Sequence, residues 1–317
     1  MKRVLLTGGS GFVGGEMCKA LARNGYVVRV ALRTATELPS GASEAATVGD
    51  INGRTDWTRA LEDVERVVHL AARAHRLDEH APDLYMQTNA LGTRRLAEMA
   101  ARSGVRRFVY LSSIKVNGEE TAGHTYTGDD IPNPIDDYGR SKWLGEQHLT
   151  QAAAGTAMEA AIVRSPLVYG PGVRANFLRL LSWIDNERLL PLAAVNNRRS
   201  LVNVWNLTDL LVRLLTHSAA QRSTWMVSDG EDLSTPNLIR RIAAAMGRRD
   251  RLLSVPVALL KVAGRMTGHS GQIRRLCGSL AVDIAQTRRV IEWSPPVSLD
   301  EGLDRTVRWY RTAGPTV

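Results

Sequence analysis

Two stretches of this chain carry residue types spaced for chemistry. The first is Gly8-Gly9-Ser10-Gly11-Phe12-Val13-Gly14, which follows the apolar run Val4-Leu5-Leu6-Thr7. A strand that enters a glycine turn and leaves as a helix forms a phosphate cradle. The first glycine permits the tight turn, the second lets backbone approach a pyrophosphate, and the third allows close helix–strand packing. The helix N-terminus then faces the anion. The spacing Gly8-x-x-Gly11-x-x-Gly14 is one residue wider than the dehydrogenase fingerprint. Gly8, Gly11, Phe12, Val13 and Gly14 are therefore candidate dinucleotide contacts. The second stretch is Tyr138-Gly139-Arg140-Ser141-Lys142. Residues four apart on a helix share a face, where an ammonium and a cofactor ribose can lower a phenol's pKa toward working pH. Such a phenol can exchange a proton with a sugar hydroxyl or ketone during hydride transfer.

The surrounding pattern supplies elements to position both stretches. Short apolar runs at 4–6, 27–32, 67–70, 108–111 and 160–163 alternate with helical patterns at 14–24, 55–61, 85–103 and 138–153. Strands alternating with helices predict an α/β fold, a Rossmann-like doubly wound parallel sheet with ligands outside the carboxyl ends of the strands. Beyond residue 163 the rhythm breaks, and prolines punctuate helices expected at 176–186, 207–217, 236–245, 256–267 and 299–310. The chain is expected to divide into a dinucleotide-binding domain, 1–165, and a smaller, mostly helical substrate-binding cap, 166–317, partly interleaved with it. The ligand cleft would lie between the two.

Composition narrows the class. With 317 residues, 44% of them hydrophobic, the chain has ample material for a core. No apolar run approaches the roughly 20 residues of a membrane helix. The N-terminus leads straight into a strand without a secretory signal pattern, so a cytoplasmic location is expected. Cys18 and Cys277 belong to no CxxC or Cys/His cluster. Neither metal nor disulfide is expected, and both cysteines read as inert core thiols. The formal charge of +9 raises nucleic acid or an acidic membrane surface as partners. Because the arginines are spread in pairs, without a basic arm or interleaved aromatics, both partners are set aside.

Further short motifs occur in a specific order: Asp50-Ile51, His69-Leu70-Ala71-Ala72, Asn89 before Gly92-Thr93, Leu111-Ser112-Ser113, and Arg164-Ser165-Pro166-Leu167-Val168-Tyr169-Gly170-Pro171-Gly172. With the glycine turn and Tyr138/Lys142, the chain resembles the extended short-chain dehydrogenase/reductases that act on nucleotide sugars. Residues 112–119 and 197–202 are most similar to a bacterial branch of UDP-glucose 4-epimerase-like proteins and UDP-4-keto-6-deoxy-N-acetylhexosamine reductases.

The resemblance implies roles position by position. Asp50 and Ile51 match the adenine contact, and Ala71 and Ala72 let backbone approach the dinucleotide. Asn89 matches a residue that braces the active site. Against the family's Ser-x-x-Val-Tyr-Gly, Ser113 is the catalytic hydroxyl that polarises the reacting carbonyl while Tyr138 transfers the proton. Lys142 holds the nicotinamide ribose and keeps Tyr138 acidic, and Pro166 sits beneath the nicotinamide. Asn176, Arg199 and Arg274 are candidate contacts to the substrate diphosphate. The chain departs from the pattern at Asn117, where tyrosine is usual, and at Lys115, a cation expected close to the substrate. His69 reads as a buried, hydrogen-bonded strand residue.

Arg33 follows the second strand where NAD-selective relatives carry an acid. A guanidinium there suits the 2′-phosphate of NADP(H), which is favoured over NAD(H). The expected reaction is hydride transfer at C4 of a UDP-sugar, foremost reduction of a UDP-4-keto-6-deoxy-hexosamine. The alternatives are a 4-epimerase that retains NAD and a non-catalytic dinucleotide sensor. Relatives pair through the helices matching 85–103 and 138–153, which implies a homodimer.

Overall fold

In the computed structural model, which describes residues 2–73, 82–220 and 223–313, the apolar runs of the first half become neighbours in one parallel sheet. Its strands are β1 (Arg3–Thr7), β2 (Val27–Leu32), β3 (Glu44–Thr47), β4 (Arg66–His69), β5 (Arg107–Ser113) and β6 (Glu159–Ser165), joined by β9 (Ser223–Met226) from the second half. The order is β3-β2-β1-β4-β5-β6-β9. Two further strands, β7 (Leu167–Tyr169) and β8 (Arg199–Asn203), form a small sheet with β10 (Asp232–Leu233).

Helices cover both faces of the large sheet, which is why its strands are near-continuous hydrophobic runs. The first-half helices are α1 (Phe12–Arg23), α2 (Thr58–Leu61), α3 (Pro82–Tyr85), α4 (Gly92–Arg102) and α5 (Asp137–Ala153), with a π-helical turn at Met86–Leu91. The second half contributes α6 (Ala175–Asp185), α7 (Val204–Leu214), α8 (Thr235–Ala245), α9 (Val257–Met266), α10 (Ser270–Cys277), α11 (Ala285–Val290) and α12 (Leu299–Ala313). Alternate residues of each strand serve opposite faces. Leu6, Val68, Val109 and Val163 meet α1 and α7 through Met17, Leu21, Leu207 and Leu211. Leu5, Val67, Phe108 and Ile162 meet α4 and α5 through Leu96, Ala100, Leu149 and Ala153.

The second half thus supplies a strand and a helix to the first. It also carries the strands β7, β8 and β10 among its helices, which the sequence reading did not include. Two- and three-residue strands are too short to show a period of two. The sequence reading also lacks β3, whose Glu-Ala-Ala-Thr has no apolar alternation. As an edge strand it is held by ion pairs from Glu44 to Arg3 and Arg29. The helix expected from residue 55 starts at Thr58 because Asp56 accepts from the Thr58 amide and hydroxyl and ends the preceding turn. Of the two thiols only Cys18 is in the core, where burial pushes its pKa up to about 11; Cys277, in the last turn of α10, is half-buried.

A buried polar network holds the small sheet to α7. The Asp229 carboxylate accepts from the backbone and side-chain amides of Asn203, both at 2.9 Å, from Asn206 at 2.7 Å, and from the Tyr169 hydroxyl at 2.7 Å. Removing it by Asp229→Ala leaves several buried donors unpaired, so we expect a loss of about 3 kcal/mol in urea unfolding, with a change below about 1 kcal/mol contradicting this account.

Candidate active site

The chain leaves β1 toward β2 on one side and later returns to β4 on the other. The carboxyl ends of β1 and β4 therefore flank the crevice at the switch point of the sheet, where doubly wound folds bind ligands. Backbone crowding there accounts for the glycines. Gly8 has φ +73°, and a Cβ on it would lie 2.8 Å from the Ala71 nitrogen. A Cβ on Gly14 would lie 2.0 Å from the Gly8 carbonyl oxygen. The Gly11 amide donates to that oxygen at 3.0 Å. Helix α1 then starts at Phe12 with Gly11 as its N-cap, no side-chain cap and no acid in its first turn. Exposed N–H groups at a dipole's positive end, approached through backbone alone, fit a pyrophosphate. Val13 packs into the main core, whereas Phe12 packs against the core of the second half.

Two of the expected adenosine contacts touch each other. Arg33, just past β2, places Nε 2.9 Å from Asp50 Oδ1, and both side chains are largely exposed. Ile51 lies beside Gly92, where a Cβ would approach Ile51 Cγ2 to 2.6 Å. Ala71, half-buried, donates its amide to Thr7 Oγ1 at 3.1 Å, and Ala72 is exposed. His69 is the satisfied core residue expected, its ring nitrogens 2.6 Å from Thr7 Oγ1 and 3.0 Å from Thr93 Oγ1. Burial draws its pKa down to about 3.

Asn89, buried in the π-helical turn, ties this crevice to α5. Its Oδ1 accepts from the Arg73 amide at 2.8 Å, while Nδ2 donates to the Arg73 carbonyl at 3.1 Å and to Ser141 Oγ at 3.0 Å. Ser141 donates in turn to the Tyr138 carbonyl at 2.8 Å. Gly145 lets α5 come this close, because a Cβ there would lie 2.6 Å from the Asn89 carbonyl oxygen. Asp136 caps α5 by accepting from the Gly139 amide at 2.7 Å.

Ser113, at the end of β5, is buried, and its Oγ accepts from the Lys115 amide at 3.2 Å. Burial pushes the Tyr138 phenol up to about 12, Ser113 pulls it down, and Asp136 and Tyr85 push it further up. Lys142 is 1% exposed. Its Nζ donates to the Leu111 carbonyl at 2.7 Å and stands 4.1 Å from the centre of the Tyr110 ring. Burial draws its pKa down to about 7, opposed by Glu146.

Glu146 and Arg164 form a buried pair that sequence reading did not assign. Arg164 Nη2 lies 2.7 Å from Glu146 Oε2 and its Nε 3.0 Å from Oε1. Ser112 donates to the same carboxylate, and Arg164 Nη1 donates to Asn117 Oδ1 at 3.1 Å. Asn117, at the position where tyrosine is usual, thus completes a buried network. Glu146 follows Lys142 at the spacing by which Lys142 follows Tyr138, but its partner Arg164 comes from another element, so spacing alone did not mark the pair. Pro166 directly follows β6 and is buried.

The substrate candidates are linked by acids. Lys115 pairs with Glu119 and, at 3.3 Å, with Asp136, so its charge is answered within the protein. Arg199, half-buried at the start of β8, donates to the carbonyls of Arg275 and Gly278 at 2.7 and 3.0 Å. Burial lowers its pKa while Glu119 and Glu120 raise it. Arg274 lies 3.7 Å from Glu120. Asn176 stands apart from this cluster in its contacts, exposed in the first turn of α6. Among the described residues no group of three or more acids, histidines or cysteines is placed to hold a metal.

Comparison with known proteins agrees with this geometry. The model of the NAD dependent epimerase/dehydratase family matches residues 4–227. A UDP-glucose 4-epimerase of Vibrio cholerae is 41% identical over 318 residues, covering 98% of this chain and 96% of its own. An N-acetyl-alpha-D-glucosaminyl-diphospho-ditrans,octacis-undecaprenol 4-epimerase of Escherichia coli O157:H7 is 25% identical over 320 residues, covering 96% and 94%. The structure of MoeE5 in complex with UDP-glucose and NAD superposes with a TM-score of 0.78 at 25% identity, covering 98% of this chain and 99% of that one. By the extent of the family match and the identity to the Vibrio enzyme, the chain belongs to the NAD dependent epimerase/dehydratase family.

Proposed function

We propose that the protein is a UDP-hexose 4-epimerase that retains NAD. One observation carries the reading: Ser113 is buried and Tyr138 half-buried next to a glycine crevice that fits a dinucleotide, in a chain 41% identical to a UDP-glucose 4-epimerase. Gly8, Gly11, Phe12, Val13 and Gly14 would hold the pyrophosphate, Asp50 and Ile51 the adenine, and Ala71, Ala72, Asn89 and Pro166 the remainder of the dinucleotide. Bound NAD supplies a hydride acceptor and donor. The chain's own part is proton control at the sugar. Tyr138 takes and returns the proton of the C4 hydroxyl, and Ser113 donates a hydrogen bond to the same oxygen as its charge develops.

The pairing of Arg33 with Asp50 favours NAD over NADP, and with it the epimerase over the 4-ketoreductase. A guanidinium already beside a carboxylate presents a 2′-phosphate with repulsion as well as attraction. The solved relative MoeE5 holds NAD. On the substrate side, Arg199, Arg274 and Asn176 are assigned to the UDP diphosphate within a cap formed by residues 166–317. Lys115, already held by Glu119 and Asp136, shapes the sugar pocket. The protein is read as a cytoplasmic homodimer paired through α4 and α5.

Three measurements test this reading. Protein purified without additives is expected to release NAD on denaturation and to interconvert UDP-glucose and UDP-galactose without added cofactor. Stoichiometric NADPH consumption with a 4-ketosugar would instead establish the reductase. Tyr138→Phe should keep its NAD but lose at least about a hundredfold in kcat, the size of a general acid/base contribution; full turnover would remove Tyr138 from the mechanism. The third concerns Lys142, which burial draws from the ordinary lysine value of 10.5 down to about 7 in the folded chain. The native state is then penalised fully below pH 7 and progressively less as pH rises toward 10.5. Lys142→Met should therefore be inactive yet more stable than the parent, with the larger gain in Tm at pH 6 than at pH 9. An equal gain at both would show that burial of the charge is not the cause.

A further inference from the structure

Helices α9 and α10 form a hairpin that is thinly covered by the rest of the fold. Only Leu260 and Gly264 of α9 are buried, and no residue of α10 is. Between Asp250 and Asp283 the chain has no acidic residue, while Arg251, Lys261, Arg265, Arg274 and Arg275 are basic. The large hydrophobic side chains Leu253, Leu259, Val262 and Met266 stand exposed in the same segment, Met266 by 83%. Along α9, Leu259, Val262 and Met266 follow the spacing that places side chains on one helical face. Leu260 and Gly264 turn a different face to the protein, so the stripe looks outward. Lys261 and Arg265, one turn apart, form an edge beside it. With Arg274, Ser270 and Glu120 they line a cavity of about 300 Å³.

We infer that this hairpin docks the protein on an anionic phospholipid surface. Leu259, Val262 and Met266 enter the headgroup boundary, and Lys261 and Arg265 meet lipid phosphates. A helix with one exposed apolar face and a cationic edge is built to lie in such an interface, and basic segments are drawn to anionic leaflets. Charge selects this occupant over a second copy of the chain, because a two-fold contact through the α9 stripe would set Lys261 and Arg265 against their own copies. Spread along the sequence, the arginines gave no sign of a basic surface. Folding into α9 sets Lys261 and Arg265 along the edge of the exposed stripe of Leu259, Val262 and Met266.

The test is co-sedimentation of the full chain with vesicles of phosphatidylcholine, alone or with about one-third phosphatidylglycerol. At low salt, binding to the anionic vesicles should exceed binding to the neutral ones at least about tenfold and fall as salt is raised. The triple substitution Leu259→Ser/Val262→Ser/Met266→Ser should lose at least about tenfold of that binding with an unchanged Tm. The pair Lys261→Glu/Arg265→Glu should abolish it. Failure of the parent to bind anionic vesicles, or equal binding by parent and both variants, would overturn the proposal. So would a parent dimer that the triple substitution dissolves, since the face would then belong to a second copy. None of these readouts depends on the sugar or the dinucleotide.

Discussion

Lys142 is a cation in the core, and much of the architecture around the candidate site follows from accommodating it. An isolated charge cannot be buried without large loss, so it must be hydrogen-bonded and surrounded by compensating dipoles or charges. The Leu111 carbonyl, the face of Tyr110 and the carboxylate of Glu146 supply these. Glu146 is itself buried and is met by Arg164, which is met by Asn117. The chain of requirements thus runs from α5 through β6 to the turn after β5. Removing one partner from such a buried pair typically costs about 3–5 kcal/mol, because the other charge is left behind. Ser112, next to Ser113, donates to Glu146. The strand end that carries Ser113 is therefore fixed from below by the same pair that answers the lysine.

A second constraint is crowding of backbone on backbone at the crevice. Gly8 approaches Ala71, Gly14 approaches Gly8, and Gly145 approaches Asn89. Each contact excludes a side chain and brings together segments that are distant in sequence. Asn89 turns this closeness into hydrogen bonds, joining the loop after β4 to the first turn of α5. The glycine crevice and the start of α5 with Tyr138 consequently belong to one hydrogen-bonded arrangement. A π-helical turn places Asn89 where the asparagine amide can reach both sides.

Much of this was legible in the sequence because it rests on local rules. The strands β1, β2, β4, β5 and β6 are long apolar runs, and Gly8, Gly11 and Gly14 stand where a tight turn and close packing demand glycine. Tyr138 and Lys142 declare themselves by spacing. What escaped reading depends on long-range partners. β3 is an edge strand whose cohesion comes from Arg3 and Arg29, and β7 and β10 exist only because β8 lies between them. Glu146 looked like any helix-surface acid until β6 brought Arg164 against it. Arg33 illustrates the same limit in the opposite direction. Its position after β2 suggested a phosphate partner, and folding supplies Asp50, which lies seventeen residues on beyond an unrecognised strand.

The proton balance of the site also differs from what spacing alone suggests. Tyr138 is pushed up to about 12 and Lys142 is drawn down to about 7, both chiefly by burial. The phenol therefore rests protonated and the lysine readily gives up its charge. Burial disfavours a charged phenolate and a charged ammonium alike, so desolvation moves the two groups toward neutrality from opposite sides. Ser113 works against this for the tyrosine and Glu146 for the lysine. Ser113 lowers the phenol only in part, so the proposed uptake of a proton from the sugar requires a further lowering of its pKa once ligands fill the crevice.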